Sequence, residues 1–202
     1  MVTKKMGSDG GGRGRPRGFD MDEAIAIATR LFHQRGYDGV GIAELSKQIG
    51  ITAPSLYAAF GNKRSLFEKV LARYVQDNSG WLLDALASSD DLDTCIQTLF
   101  ASAAKTYTAS DQCAGCLALD GSRNCGDEGA KALTAGYRQK TREIIRQRIS
   151  ESAHVSKDAV DTLANYVLAV LLGLSASARD GSTTEELREI GEVAAVGFAQ
   201  RV

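Results

Sequence analysis

The chain has 202 residues, of which 44% are hydrophobic and 24% charged. That balance belongs to a globular chain with a real core and excludes a disordered or fibrous one. No run approaches 18 apolar residues, so no membrane span is expected. The N-terminal stretch MVTKKMGSDGGGRGRPRG has cations but no apolar run behind them, unlike a secretory signal, so the expected compartment is cytoplasmic. The net charge of −1 hides an asymmetry: residues 1–74 sum to +5 and residues 75–202 to −6. A basic front half and an acidic rear point to a polyanionic partner for the front alone.

Residues 1–18 are rich in Gly, Lys and Arg and cannot bury a core, so they read as a flexible basic arm. Asp20, with Glu23 three residues on, resembles a capping box. Behind it Ala24, Ile27, Ala28, Leu31 and Phe32 recur at helical spacing up to Gly36. A second helix fits Ile42–Ile49, with Leu45 and Ile49 inward and Gly50 as its stop. A third fits about Ala53–Phe60, capped by Thr52, with Pro54 in the first turn and Gly61 at the end. Asn62 caps a fourth, with Leu66, Val70 and Tyr74 on one face. Further helices are expected near Leu92–Thr108, Glu128–Glu151, Ser156–Arg179 and Thr183–Arg201. No segment alternates with period two, so the fold class is all-α.

Two short helices separated by the tight turn Gly50-Ile51-Thr52 make a helix-turn-helix, whose second helix can enter a DNA major groove. That helix carries short residues (Thr52, Ala53, Ser55, Ala58, Ala59) that let a backbone approach base edges, hydroxyls for hydrogen bonds and methyls for thymine. Leu56 and Phe60 point back into the domain, and Tyr57 falls between the two faces, where its hydroxyl can reach a phosphate. Lys63 and Arg64 open the next helix, at the end where the macrodipole disfavours cations. A phosphate held between those cations and the free helix N–H groups accounts for them. Arg13, Arg15 and Arg17 of the arm can enter the adjacent minor groove or coat the backbone. The bland alternative is a half-buried tyrosine and a solvated basic corner.

The stretch Phe19–Tyr74, with LFHQRGYDGV followed by GIAELSKQIGITAPSLYAAFGNKRSLF, resembles the TetR-type transcriptional regulators. The family pattern G-[VI]-[ST]-x-x-x-[LI]-Y-x-x-F-x-x-K-x-x-L is met at Gly50, Ile51, Thr52, Leu56, Tyr57, Phe60, Lys63 and Leu66. The resemblance implies an all-helical fold of about nine helices. The first three form a DNA-binding head, the fourth links it to the rear, and the last two build a homodimer interface. It also implies that Thr52, Ser55, Tyr57 and Lys63 touch DNA. Where the family usually has Ser or Thr at the start of the second helix, this chain has Gly41, a residue without a side chain to meet a phosphate. The domains expected are the arm (1–18), the helix-turn-helix head (19–65) and a helical effector-binding and dimerisation domain (66–202).

A dimer requires an apolar surface in the rear, and Leu163, Val167, Val170, Leu171, Leu174, Val193, Val196 and Phe198 are the candidates. Monomer core is the alternative for them, and Asn165 and Tyr166 should face outward. Trp81, Phe100, Tyr107 and Tyr137 can line an effector pocket or fill a core. The acidic rear hints mildly at a neutral or cationic small-molecule effector. Cys113-Ala-Gly-Cys116, with Cys125 nine residues on, reads as a redox pair with a thiol pKa lowered at a helix start, as part of a zinc site, or as small packed side chains. Histidines are too distant to complete a zinc site, so no metal and no cofactor is expected. A homodimeric repressor on a palindromic double-stranded DNA operator, released by a small molecule or a thiol-reactive effector, is the function expected. The rivals are a thiol oxidoreductase using Cys113 and Cys116 and a non-specific architectural DNA binder.

Overall fold

A computed structural model describes residues 19–110 and 112–202. Among the described residues all regular structure is helical, in ten helices. The arm residues Arg13, Arg15 and Arg17 lie outside the described residues.

The front of the chain folds as its local signals dictate. Helix α1 (Met21–Arg35) starts on Asp20, whose carboxylate accepts from the amides of Asp22 (2.8 Å) and Glu23 (3.3 Å). Only that half of the capping box forms among the described residues. Helix α2 (Ile42–Ile49) ends at Gly50, which takes the left-handed conformation (φ +78°) that a glycine adopts without strain. Helix α3 (Ala53–Phe60) starts on Thr52, whose hydroxyl oxygen accepts from the Ser55 amide. Asn62 likewise caps helix α4 (Lys63–Asn78) through the Ser65 amide at 2.8 Å.

Helix α5 (Gly80–Leu86) follows after a single residue, Ser79. The sequence does not announce it: seven residues with no side-chain cap give too short a pattern to separate from α4. Helices α6 (Leu92–Tyr107), α7 (Leu117–Asp120), α8 (Glu128–Ser150), α9 (Val160–Arg179) and α10 (Thr184–Ala199) complete the rear. Helix α9 begins four residues later than its sequence suggests, after turns over 151–159, and no side chain caps it. Helix α10 opens with a complete capping box between Thr183 and Glu186.

Two apolar clusters hold the molecule. In the front cluster Phe32 sits fully buried between Tyr37 (6.0 Å, stacked) and Phe67 (5.0 Å, edge-on), joined by Leu45, Leu56, Phe60 and Leu71. Leu117, Ala118, Cys125 and Ala130 also belong to it, so α7 and the start of α8 plug the rear into the head. The rear cluster runs along α6, α8, α9 and α10. Helix α9 has 20 residues and holds an 18-residue window of mean hydropathy 1.4, long and apolar enough to measure against a bilayer, yet Leu163, Ala164, Val167, Leu171 and Leu174 are buried against its neighbours. Tyr166 does not face outward as expected. It is half-buried, and its hydroxyl donates to the Ala194 carbonyl of α10 at 2.8 Å; Asn165 is exposed.

Candidate nucleic-acid interface and internal cavity

Helix α3 divides cleanly. Leu56 and Phe60 are buried, whereas Thr52, Pro54, Ser55, Tyr57 and Ala58 are exposed and Ala53 and Ala59 are half-buried. Tyr57 is 47% exposed, a large aromatic ring on an otherwise small-residue face. The Thr52 and Ser55 hydroxyls lie 2.9 Å apart, so each is pre-oriented for a third partner. Gly41 is exposed, and a Cβ there would meet nothing within 4 Å, so the glycine is not demanded by packing.

The two cations at the start of α4 are differently placed. The Lys63 ammonium rests 4.2 Å above the Tyr37 ring, and partial burial lowers its pKa from the usual lysine value. Arg64 is not free. It donates Nε and Nη2 to the two carboxylate oxygens of Asp127 at 3.0 and 3.1 Å. Asp127 is also the N-cap of α8, accepting from the Ala130 amide at 3.0 Å, and accepts from the Tyr37 hydroxyl at 3.1 Å. The Arg64 guanidinium and these donors push Asp127 down to about 2, and burial beside it pushes Tyr37 up to about 12. A Cβ on Gly129 would stand 2.3 Å from Arg64 Nε, so glycine is what lets the guanidinium lie there. Nothing in the local sequence announces this clamp, because its halves are 63 residues apart.

A second junction joins α1 to α7 and α9. His33 is buried and its Nε2 lies 3.1 Å from the Gly115 carbonyl. Arg179 donates Nη1 to the His33 carbonyl (2.8 Å), and its Nε sits 2.9 Å from Asp120. The Ser175 hydroxyl donates to the other Asp120 oxygen at 2.8 Å and accepts from the Cys116 amide at the same distance. Burial, then the Arg179 charge, pushes His33 down to about 4.

Behind these junctions lies a cavity of about 220 Å³. Tyr74, Val75 and Asn78 of α4, Trp81 of α5, Tyr107 of α6, Cys116 and Leu119 near α7, and Tyr137 and Lys140 of α8 form much of its wall. Of the expected effector residues, Trp81, Tyr107, Tyr137 and Cys116 meet here. Phe100 does not; it is fully buried in the rear core and lies under Gly191 of α10. Among the described residues no carboxylate lines the cavity and its one charged side chain is Lys140, so the hint of a cationic effector finds no counter-charge there.

All four cysteines are free. Cys125 is buried, its thiol donating to the Asp127 carbonyl at 3.4 Å, and Cys113 is half-buried. Burial raises both the Cys113 and Cys116 thiols, the opposite of the lowering expected at a helix start, because α7 is one turn long and the thiols are desolvated. Among the described residues no three His, Cys, Asp or Glu side chains gather as metal ligands; Asp120 and Asp127 are occupied by Arg179 and Arg64. Of the expected dimer residues, Leu163, Val167, Leu171, Leu174 and Phe198 are buried inside the protomer and Val170 is half-buried. Val193 and Val196 are 75% and 60% exposed.

Residues 24–70 match the family described as bacterial regulatory proteins, tetR family. Over 187 residues, 93% of this chain and 91% of the relative, the sequence is 36% identical to the HTH-type transcriptional repressor BdcR of Escherichia coli (strain K12). It is 31% identical to the HTH-type transcriptional repressor ComR of the same organism over 88% of each chain. In structure it is similar to a cysteine mutant of the TetR family transcriptional regulator CifR complexed with 26-bp double-strand operator DNA (TM-score 0.79, 30% identity, 90% of this chain and 98% of that one). These likenesses run through both clusters and leave no place for the thiol-oxidoreductase reading. The chain belongs to the TetR family and is a DNA-binding transcriptional regulator.

Proposed function

We propose that the protein is a cytoplasmic homodimeric repressor that occupies a palindromic operator through α3 and leaves it when a small molecule fills the cavity. The observation that carries the reading is the exposed face of α3, with small hydroxyl and methyl groups at its centre and Tyr57 beside them, followed by the Lys63 cation at the start of α4. The relatives BdcR and ComR are named as repressors, and CifR is bound to an operator. A symmetric DNA site needs two heads at fixed spacing, and Ile190, Val193 and Val196 leave an apolar stripe on α10 for a second copy. Release follows from shared walls: α4 lines the cavity at Tyr74, Val75 and Asn78 and carries Lys63 and Arg64 at its other end. A ligand that tilts α4 moves the heads out of register. Cys116 in the cavity wall supports a second reading of the effector, a thiol-reactive molecule.

Selection of genomic fragments by the purified protein, followed by footprinting, is expected to yield a short inverted repeat. Tyr57→Phe combined with Lys63→Ala should weaken binding to every duplex alike and flatten the dependence of log affinity on log salt by about one. An unchanged slope would remove these residues from the phosphates, and binding without sequence preference would favour an architectural role. Release by oxidants or alkylating agents that Cys116→Ser abolishes would favour the thiol-reactive effector.

A further inference from the structure

The cavity has an inner end with unusual chemistry. Tyr107 is fully buried, lines the cavity, and its hydroxyl has no hydrogen-bond partner among the described residues. Buried hydroxyls almost always find one, since leaving them unpaired costs free energy. The titratable groups that bear on it are the Cys116 thiol, the Tyr74 hydroxyl and the Asp120 carboxylate, and Asp120 is held by Arg179 and the Ser175 hydroxyl. Trp81 stands edge-on to the Tyr107 ring at 5.7 Å and fixes its orientation. Burial raises the Tyr107, Tyr74 and Cys116 groups, so all three stay uncharged and Tyr107 keeps its proton. Among the described residues the one charged liner, Lys140, is solvent-exposed.

We propose that the cavity binds an uncharged, largely apolar ring- or chain-shaped molecule bearing one oxygen that accepts a hydrogen bond from the Tyr107 hydroxyl. The inference rests on the reading of the cavity as the effector site and adds the chemical class of the effector. A volume of about 220 Å³ holds a body of about seven non-hydrogen atoms, at roughly 30 Å³ for each water-sized group. A net charge at the inner end would be stripped of water, and the carboxylate nearest Tyr107, Asp120, is already paired with Arg179 at 2.9 Å, so cations and carboxylates are excluded by desolvation. An apolar body with no oxygen fills the space but leaves the hydroxyl unpaired.

The test uses four compounds of equal heavy-atom count: cyclohexanone, methylcyclohexane, cyclohexylammonium and cyclobutanecarboxylate. The chain has a single tryptophan, and Trp81 is in the cavity wall, so its fluorescence reports occupancy directly. Cyclohexanone should bind, and the two charged compounds should bind at least tenfold more weakly. In Tyr107→Phe the dissociation constant for cyclohexanone should rise about fivefold while that for methylcyclohexane stays within twofold. The melting temperature checks that the variant is folded, and the ranking of charged against neutral compounds in the wild type is independent of it. Equal changes for both neutral compounds would overturn the oxygen contact. Tighter binding of the carboxylate would overturn the class and put the anchor at Lys140. If the class holds but occupancy never releases operator DNA, the ligand inference stands and the sensor reading fails. No fluorescence response to any of the four would sink both.

Discussion

Histidine at neutral pH is poised to carry charge, and His33 is built not to. It is 8% exposed, packed edge-on to Tyr74 at 5.2 Å, and faces the Arg179 charge, which opposes protonation, with Asp120 partly offsetting it. Its pKa falls from 6.5 to about 4, while the unfolded chain takes up the proton near 6.5. The neutral form therefore adds stability above pH 6.5, and that contribution disappears as pH drops toward 4. The whole of it is roughly 3 kcal/mol. Urea unfolding at pH 7 and pH 4.5 should show the wild type losing roughly 2–3 kcal/mol more than His33→Gln between the two conditions. Equal losses would mean that the histidine is protonated in the folded chain as readily as outside it. The role of His33 was not legible in the sequence, because its partners Gly115 and Arg179 are 82 and 146 positions away. Thr52, Pro54, Gly50 and Asn62 were legible, because each acts on a backbone group within four residues.

Elements add constraints that no single residue shows. Helix α4 is fastened to α8 at its first turn, where Arg64 is held by both oxygens of Asp127. The sequence puts the same guanidinium on a phosphate; here Asp127 takes its Nε and Nη2 and offsets its charge, leaving only Nη1 uncommitted to that carboxylate. Asp127→Asn keeps an oxygen to cap α8 but removes the charge that holds Arg64. The freed cation should join the DNA contact, so the slope of log affinity against log salt should steepen by about one. A slope identical to that of the wild type would show that Arg64 stays clear of the backbone even when released. The cavity is an element-scale feature in the same sense. Its walls come from α4, α5, α6, α7, α8 and α9, and of them the sequence singles out Trp81, Tyr107, Tyr137 and Cys116. Lys140 and Leu119 look ordinary in sequence; their positions matter only once α8 lies beside α4.

At the scale of the molecule the open question for the sequence was which apolar stripes serve the fold and which serve a partner. Helix α9 has apolar residues on more than one side, so Leu163, Val167, Leu171 and Leu174 could not be distinguished from an interface by periodicity. Burial separates them: these four stay inside, and Ile190 (48% exposed), Val193 and Val196 remain outside on α10. A doubly substituted Val193→Glu, Val196→Glu chain should keep its helical content, since neither side chain is packed in the protomer. It should run as a monomer by light scattering and bind operator at least about 100-fold more weakly, having lost the linkage of two heads. A persisting dimer would move the two-fold axis to another face.

Helix α4 belongs to both halves of the protein. Its first part supplies Leu66, Phe67, Val70 and Leu71 to the front cluster, and its second part faces the cavity. A cut after residue 65 falls inside α4 and parts packed side chains. Chimeric regulators assembled by exchanging residues 19–65 would inherit an incompletely filled interior. Those that carry α4 across whole would bring part of the donor's ligand preference along with its DNA preference, so in this scaffold the two specificities are not independently transplantable.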